Sequence, residues 1–408
     1  MNKPVELMDV DAVLRVLLQA ATGRGPEESV PTMHALGRVL AEPVQSPIDV
    51  PPAANTQMDG YAVRCADIGS PGARLKVAQR IAAGHVGKPL KPGEAARIFT
   101  GALIPDGADA VVMQEQCVAD GDHVLIQHVP APGEWVRPQG CDVQRGSTVL
   151  HAGHRLRPQD LGQAASVGVS DLRVARHPRV ALLSTGDELT MPGTPLRPGA
   201  IYNSNRFLLT GLLQGLGCKI TDLGQIPDRL DATCEAIQSA AHEHDLVLTS
   251  GGVSVGGEDH VKPAVQALGE LNLWQIAMKP GKPLAFGSVR RKTTGSAHFI
   301  GLPGNPVSSF VTFVVFVRPF LLALQGATRL APPVLHLPSA SNWLRADRRR
   351  EFLRARLTDD ARVELFANQN SAVLTSTVWG DGLVDNPPDR AFQAGDTVSF
   401  IPFSSLLS

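Results

Sequence analysis

Aromatic residues are scarce in this chain of 408 residues: two Tyr and four Trp stand beside 13 Phe. A surface that stacks successive bases of a single strand needs more rings than this. An excess of positive charge is also missing. Lys and Arg total 38 against 39 Asp and Glu, a formal charge of −1, so bulk electrostatic binding of nucleic acid is excluded as the main activity. The five cysteines, Cys65, Cys117, Cys141, Cys218 and Cys234, are odd in number, widely separated and without a Cys-x-x-Cys pair. That leaves neither a disulfide framework nor a zinc site. No apolar run reaches the length of a membrane span. The longest, Phe310 to Leu324, contains Arg318-Pro319 and falls short of the ~20 residues a bilayer core requires, so it reads as a buried helix. Near the N-terminus Glu6, Asp9 and Asp11 interrupt any apolar leader. The expected compartment is the cytoplasm, with no membrane and no nucleic-acid partner.

What is present in quantity is hydrophobic residues, at 43%, together with 39 Gly and 32 Pro. At roughly 100–200 residues per domain, the length fits two to four turn-rich domains. Asp9 caps an expected helix whose apolar residues Val10, Val13, Leu14, Leu17 and Leu18 share one face, with Gly23 in a stop position. Pro43, Pro47, Pro51 and Pro52 then mark an extended boundary, because each lacks an N–H and restricts its predecessor. From Asn55 to about Gly140, short strand-like pieces separated by Gly and Pro clusters predict a small β domain: Tyr61–Arg64, Leu75–Ala78, Ala110–Met113 and His123–Ile126.

After Arg179 apolar runs alternate with helical patterns. Val180–Leu183, Ile220–Leu223, Leu246–Thr249, Leu273–Met278, Leu284–Phe286 and His298–Gly301 read as strands. Asn203 to Leu216, Asp231 to His242 and about Asn305 to Leu324 read as helices. The alternation predicts a parallel sheet covered on both faces. Everything beyond about Ala331 is strand-like and predicts a separate C-terminal β domain.

In open α/β sheets ligands bind outside the carboxyl ends of the strands, and three polar loops leave strands there. Ser184-Thr-Gly-Asp-Glu188 puts two carboxylates after a buried strand. Thr249 to Asp259 carries four glycines between hydroxyls and an acidic end. Gly301-Leu-Pro-Gly-Asn-Pro306 leads into the long helix, whose N-terminus suits an anion. The glycine spacing matches neither a Walker loop nor the dinucleotide fingerprint. One Gly-Gly pair alone is a tight turn, but three such loops at one edge point to a shared small-molecule site. Ser250, Gly251, Gly252, Ser254, Asn305 and Ser308 are its expected binding residues, with Lys282 from the Lys279-Pro-Gly-Lys282 turn. Asp187, Glu188, Asp228 and Asp259 stand just beyond strands, where hard oxygen donors for Mg²⁺ are usually placed. Helix capping is the competing reading for Asp187 and Asp228. Carboxylates and cations at one edge suit a phosphate ester with its metal. Outside this domain, Asp59-Gly60 and Phe99-Thr-Gly101 read as turns. Arg345, Arg348, Arg349, Arg350, Arg354 and Arg356 form an arginine run that could present guanidiniums to an oxyanion.

Six segments, taken together, resemble the molybdopterin molybdenumtransferase (MoeA) family, relatives of the gephyrin E domain. They are Asn55-Thr-Gln-Met-Asp-Gly-Tyr-Ala-Val63, Thr100-Gly101 with Pro105-Asp-Gly-Ala-Asp-Ala-Val-Val112, Ser184-Thr-Gly-Asp-Glu-Leu189, Thr249-Ser-Gly-Gly-Val-Ser254, Lys279-Pro-Gly-Lys-Pro283 and Gly301-Leu-Pro-Gly-Asn-Pro-Val-Ser308. They occur in the family's order and span the chain. The resemblance implies an α/β plus β, multidomain, elongated homodimer. Residues 1–50 and 141–177 would form a discontinuous domain around a small β domain at 51–140. A molybdopterin-binding α/β domain would follow at 178–328 and a C-terminal β domain at 329–408. The implied reaction joins adenylylated molybdopterin and molybdate, with Mg²⁺ or another divalent metal, giving molybdenum cofactor and AMP.

Carried over by position, the resemblance makes Asp59 and Thr100 functional residues contributed across the dimer. Asp142, Glu188, Asp228 and Asp259 become functional carboxylates, with Glu188, Asp228 and Asp259 the expected metal ligands and Lys279 the motif lysine. Arg350 and Ser371 fall at positions associated with molybdate, and Ser308 is a further oxyanion candidate. Gln275 stands where relatives commonly carry a second lysine, and Gly380-Asp-Gly382 departs from the usual Ala before the polar residue. Expected partners are a molybdopterin adenylyltransferase and acceptor molybdoenzymes or their chaperones. Two rival functions are adenylyl transfer onto molybdopterin, as the α/β domain alone would suggest, and a non-catalytic carrier or scaffold. The surrounding β domains disfavour the first, and the number of polar loop motifs disfavours the second.

Overall fold

The computed structural model describes residues 7–21, 25–252 and 260–406. Gly23, Ser254 and Asp259 lie outside the described residues. The first helix, Val10–Ala20, begins as expected: the Asp9 carboxylate accepts from the backbone N–H groups of Asp11 (2.9 Å) and Ala12 (3.1 Å), satisfying donors that no helical carbonyl can reach. Its apolar face does not pack with residues 27–50. Val10, Val13 and Leu17 enter the core of the α/β domain, against the helix at Arg318–Leu324.

Residues 27–50 instead share a core with residues 143–175. Strand Glu27–Pro31 pairs antiparallel with Asp171–Ala175, and Val44–Gln45 pairs with Thr148–Leu150. Ala35, Leu40, Val44, Leu150, Leu156, Leu172 and Val174 close around the helix Pro158–Ser166. Between these two halves lies a six-stranded sheet in the order Ala110–Met113, Gly60–Val63, Glu94–Ile98, Ala73–Ile81, His123–Ile126 and Cys117–Asp120. Two of its strands escape a reading by pattern. Glu94–Ile98 has only one residue of high strand propensity, Ile98, beside two alanines, and Cys117–Asp120 is an exposed edge.

The α/β domain has six strands in the order Lys219–Ile226, Arg179–Thr185, Leu246–Ser250, Ser296–Leu302, Pro283–Arg290 and Gly269–Gln275. The expectation of a parallel sheet is corrected here. The first four strands are parallel, Pro283–Arg290 runs antiparallel to them, and Gly269–Gln275 pairs antiparallel with it and so follows the direction of the first four. Only residues 291–295 join Pro283–Arg290 to Ser296–Leu302, enough for a hairpin but far short of the dozen or so that a parallel crossover takes. Both faces are covered, as expected. Val180, Leu182, Leu246, Leu248, Ile300 and Leu302 meet helices Ser204–Gly215 and Pro306–Thr312 on one side. Ala181, Leu183, Val247 and Phe299 meet Leu230–Glu243 and Val261–Leu268 on the other.

The long apolar helix runs through Pro306–Leu324, with a π-helical turn at Phe313–Val317. Its length and composition would suffice for a bilayer, but 83% of it is buried inside the protein. Phe313, Phe316 and Phe320 are almost wholly enclosed, each contributing about 2 kcal/mol by area burial. Arg318 lies among them and is satisfied by three carbonyls, those of Leu406 (2.9 Å), Leu330 (3.0 Å) and Ser405 (3.0 Å).

The C-terminal sheet runs Met278–Lys279, Arg350–Leu357, Gly382–Asn386, Thr397–Pro402 and Leu335–Pro338, with Val363–Leu365 added to the second. Its edge strand, Met278–Lys279, comes from within the α/β segment. That exchange stitches the two domains together along the site described next.

Candidate active site

The antiparallel turn of the sheet is what assembles the site. Because Pro283–Arg290 starts where the parallel strands end, the Lys279–Lys282 turn arrives at their carboxyl edge. There it meets Gly251 and Gly252, the Pro303–Asn305 loop and Ser308. From the C-terminal domain come Arg349 and Gln369–Ser371. Together these segments line a cleft of about 620 Å³. Two glycines permit the close approach. Gly252 has φ +70°, and a Cβ there would lie 2.5 Å from Val261 Cγ2. Gly281 has φ +104°, and its Cβ would lie 2.6 Å from the Thr312 hydroxyl.

The wall between the domains is polar and specific. The Ser371 carbonyl accepts the Val307 N–H at 3.0 Å, capping the long helix from the C-terminal domain, and the Ser371 hydroxyl accepts from Asn305 Nδ2 at 3.2 Å. Lys279 Nζ donates to Glu351 Oε1 at 3.1 Å and lies 3.4 Å from Asp347 Oδ2. Glu351 is only 1% exposed; its other oxygen accepts from Trp343 Nε1 (2.7 Å). Asp347 in turn holds Arg349 by two side-chain hydrogen bonds of 2.9 and 2.8 Å. The Lys282 ammonium is exposed and has no partner among the described residues.

Hydrogen bonds from Arg349 hold the Asp347 carboxyl well below the usual carboxylate range, against the opposing pull of burial. A carboxyl depressed on folding contributes stability in full above its unfolded value, near 4, and loses it as pH falls toward the folded one. The Lys279–Asp347–Arg349 clamp is therefore expected to persist from neutral pH to about pH 4. In Asp347→Asn this part of the acid dependence should vanish, read as a flatter dependence of unfolding free energy on pH below 4.

Behind the cleft, the helix Ser204–Gly215 contributes a residue that the sequence pattern presents only as part of a helix start. Asn205 Nδ2 donates at 2.7 Å to both Ser250 Oγ and the Gly304 carbonyl, tying two cleft loops together. Ser250 is thus buried as a support and does not line the cleft. Asn205→Ala should lower unfolding stability by about 1–3 kcal/mol, because Ser250 and Gly304 each lose a buried partner. Urea unfolding measures this, and an unchanged midpoint would contradict it.

Several sequence-derived residues lie elsewhere. Arg350 does not line this cleft. Asp385 takes its Nε and Nη2 at 2.7 and 2.6 Å, and Asp11 takes Nη1 at 2.9 Å, so its guanidinium locks the first helix to the C-terminal sheet. Within the same arginine run, Arg349 reaches the cleft. Arg354 is fully buried with Nη2 unpartnered, and its backbone N–H and C=O are both bonded to the cleft residue Gln369. Burial pushes the Arg354 guanidinium down to about 10. The arginine run carried the signal, but a run cannot say which member faces which way.

Glu188 is exposed, its carboxylate folded back over Gly186. Asp228 is half-buried, with its carboxylate 3.9 Å from His260 Nε2. Neither Asp187 nor Asp228 caps a helix. The residue before Leu230–Glu243 is Arg229, without a side-chain cap, and a short strand, Leu189–Thr190, follows Glu188. Among the described residues no group of three His, Cys, Asp or Glu is placed to hold a metal.

Asp142 lines a separate depression with Cys141 and Asp160. Asp59 and Thr100 sit on the small β domain, where the Thr100 N–H (2.8 Å) and hydroxyl (2.7 Å) both bond Asp59 Oδ1. These bonds lower the Asp59 carboxyl's pKa. The pair is therefore an ordered constellation, more than the two turns that local pattern suggests.

Three family descriptions match the chain in order. They are the MoeA N-terminal region (domain I and II) over residues 8–168, a probable molybdopterin binding domain over 181–323, and the MoeA C-terminal region (domain IV) over 337–403. A molybdopterin molybdenumtransferase of Haemophilus influenzae is 39% identical over 382 residues, covering 92% of this chain and 93% of the relative. Molybdopterin molybdenumtransferase 2 of Mycobacterium tuberculosis is 35% identical over 381 residues, covering 90% and 93%. The crystal structure of a molybdopterin biosynthesis moeA protein from Pyrococcus horikoshii OT3 superposes with a TM-score of 0.85 at 28% identity, over 97% of this chain and 100% of that one. A sheet-edge cleft closed by a β domain, in this order of domains, defines a multidomain transferase of molybdenum cofactor biosynthesis. The chain belongs to the MoeA family of molybdopterin molybdenumtransferases.

Proposed function

We propose that the cleft binds molybdate together with adenylylated molybdopterin and releases molybdenum cofactor and AMP. The observation that carries this reading is the meeting of Lys279, Lys282, Arg349, Ser308 and Ser371 around one cavity between the sheet edge and the C-terminal domain. A tetrahedral dianion asks for cationic and hydroxyl donors converging from several sides, and this wall supplies them. Lys282 is a cation unpaired among the described residues, Arg349 is fixed by Asp347, and Ser308 and Ser371 flank the helix start. Lys279 is held by Glu351, and it aligns the turn that presents Lys282.

For the divalent metal, Glu188 and Asp228 are donors of the right chemistry near the same edge, while Asp259 lies outside the described residues. The described residues alone do not complete a ligand set. When bound, such an ion would draw charge from the leaving phosphate.

Asp59 and Thr100 fall outside the cleft lining of their own chain. In this reading they complete the cleft of a second subunit in a homodimer. The protein works in the cytoplasm, taking substrate from a molybdopterin adenylyltransferase and passing cofactor to acceptor enzymes or their chaperones. The domain limits given by the resemblance are retained, with two exchanges: the first helix packs on the α/β core, and Met278–Lys279 joins the C-terminal sheet.

The test is AMP release from adenylylated molybdopterin with Mg²⁺, with and without molybdate, beside a parallel incubation of ATP with unmodified molybdopterin. Molybdate-dependent AMP release is expected in the first. Formation of the adenylylated product in the second would instead assign the earlier, adenylyl-transfer step. Binding without turnover in either would leave a carrier.

A further inference from the structure

The small β domain carries an arrangement that neither the fold nor the cleft requires. Strands Ala73–Ile81 and Glu94–Ile98 run parallel, with Arg80 directly opposite Arg97, and Tyr61 is the next neighbour across the sheet. Both guanidiniums converge on one ring: Arg80 lies 4.7 Å and Arg97 4.6 Å from the centre of Phe99. Like charges directly opposite one another weaken a sheet, yet neither arginine is in an ion pair among the described residues.

The two differ in how they are held. Arg97 is anchored, donating to the carbonyls of Gly60 (2.8 Å) and Ile98 (3.3 Å) and to Gln114 Oε1 (2.6 Å). Arg80 is exposed, and no hydrogen bond engages it among the described residues. Its planar fork is oriented by the ring alone, with its donors facing solvent. Phe99 precedes Thr100, and Gly60 follows Asp59, so the two cations adjoin the ordered Asp59–Thr100 pair; Arg97 faces the Asp59 charge, and Arg80 is the cation with no ion pair among the described residues.

A stacked, unpaired guanidinium beside a second cation is a binding element for a phosphoryl anion, whose paired oxygens match the fork. We propose that Arg80, held on Phe99 next to Asp59–Thr100, is a specificity-determining residue that binds the pyrophosphate bridge of the nucleotide substrate. This rests on the reading of the reaction given above. The anchored Arg97 supplies the second charge and orients the ring.

The experiment compares wild type with Arg80→Gln and Arg80→Lys, using inorganic pyrophosphate as a probe and AMP release as the activity. Arg80→Gln should weaken pyrophosphate binding about tenfold. It should raise KM for the adenylylated substrate by a similar factor while leaving kcat within about twofold. Thermal unfolding should be unchanged or slightly higher, since a like-charge contact has gone. Arg80→Lys should recover part of the affinity, as a point charge without the fork. Equal pyrophosphate affinity in wild type and Arg80→Gln would overturn the proposal, as would a fall in stability with no change in KM. Absence of AMP release from the wild type would count against the reaction itself. Weaker pyrophosphate binding by Arg80→Gln would even then support the anion site.

Discussion

Replacing Lys279 with Ala is expected to reduce molybdate-dependent AMP release by at least about a hundredfold and to destabilise the fold by about 3–5 kcal/mol. Both effects come from one position. The ammonium is the partner of Glu351, which is almost wholly buried, and lies within reach of Asp347. Removing it leaves an enclosed carboxylate whose remaining hydrogen bonds among the described residues come from the Trp343 indole and an amide of Asn386, with the Arg349 charge farther off. An uncompensated buried charge is strongly destabilising, whereas the same pair replaced together is not. The double variant Lys279→Met with Glu351→Leu should therefore regain much of the stability but none of the activity. Chemical denaturation and AMP release, measured on the same preparations, separate the two roles. If the double variant recovered turnover, Lys279 would have no part in the reaction beyond holding Glu351.

The second large effect concerns Arg354 and is an expected gain in stability. Arg354 is fully enclosed, donates to Ser376 Oγ (3.2 Å) and the Phe352 carbonyl (3.0 Å), and leaves Nη2 without a partner. Arg318, equally deep, satisfies three carbonyls, so burial of an arginine in this fold does not by itself leave donors idle. A guanidinium pushed from its usual 12.5 down to about 10 carries a burial penalty of about 3 kcal/mol at neutral pH. Because the folded value is the depressed one, that penalty is present in full at neutral pH and lessens only as pH rises through 10 and above. Arg354→Met removes the charge and keeps most of the volume. Its stability should equal or exceed wild type by about 1–3 kcal/mol. Molybdate-dependent turnover should stay within about twofold of wild type, because the bonds to Gln369 at the cleft run through the Arg354 backbone and survive the substitution. A variant clearly less stable than wild type would contradict the burial penalty.

Much of the architecture is legible from residue pattern. Ala110–Met113 and His123–Ile126 are strands where short apolar runs between turns place them, and the helical periodicity from Asn203 corresponds to the helix Ser204–Gly215. The sheet's mixed direction is harder to read, because apolar strands buried on both faces look alike whichever way they run. The informative feature was the brevity of residues 291–295. The error has a consequence for the site, since in a wholly parallel sheet the Lys279–Lys282 turn would lie at the opposite edge from Ser250 and Leu302.

Within the site, the glycine loops and both lysines announce themselves by composition, and the cleft gathers Gly251, Gly252, Lys279, Lys282, Asn305, Ser308 and Ser371. The roles of Arg349, Arg350 and Arg354 cannot be separated by sequence. Arg349 precedes the strand while Arg350 and Arg354 share one face of it, and what separates those two is Asp385 and Asp11, which engage Arg350 through contacts remote in the chain. Asn205 is invisible for a related reason. Its two bonds span 45 and 99 residues, a separation over which no local pattern operates.

The central claim is that the cleft between the sheet edge and the C-terminal domain is the oxyanion site. Tungstate is a tetrahedral dianion of similar size to molybdate and scatters X-rays anomalously. A crystal soaked in tungstate should show an anomalous peak inside the cleft, within hydrogen-bonding distance of Ser308 or Ser371 and closest to Lys282 or Arg349 among the cations. A peak confined to the small β domain or to the far edge of the sheet, with the cleft empty, would contradict the account.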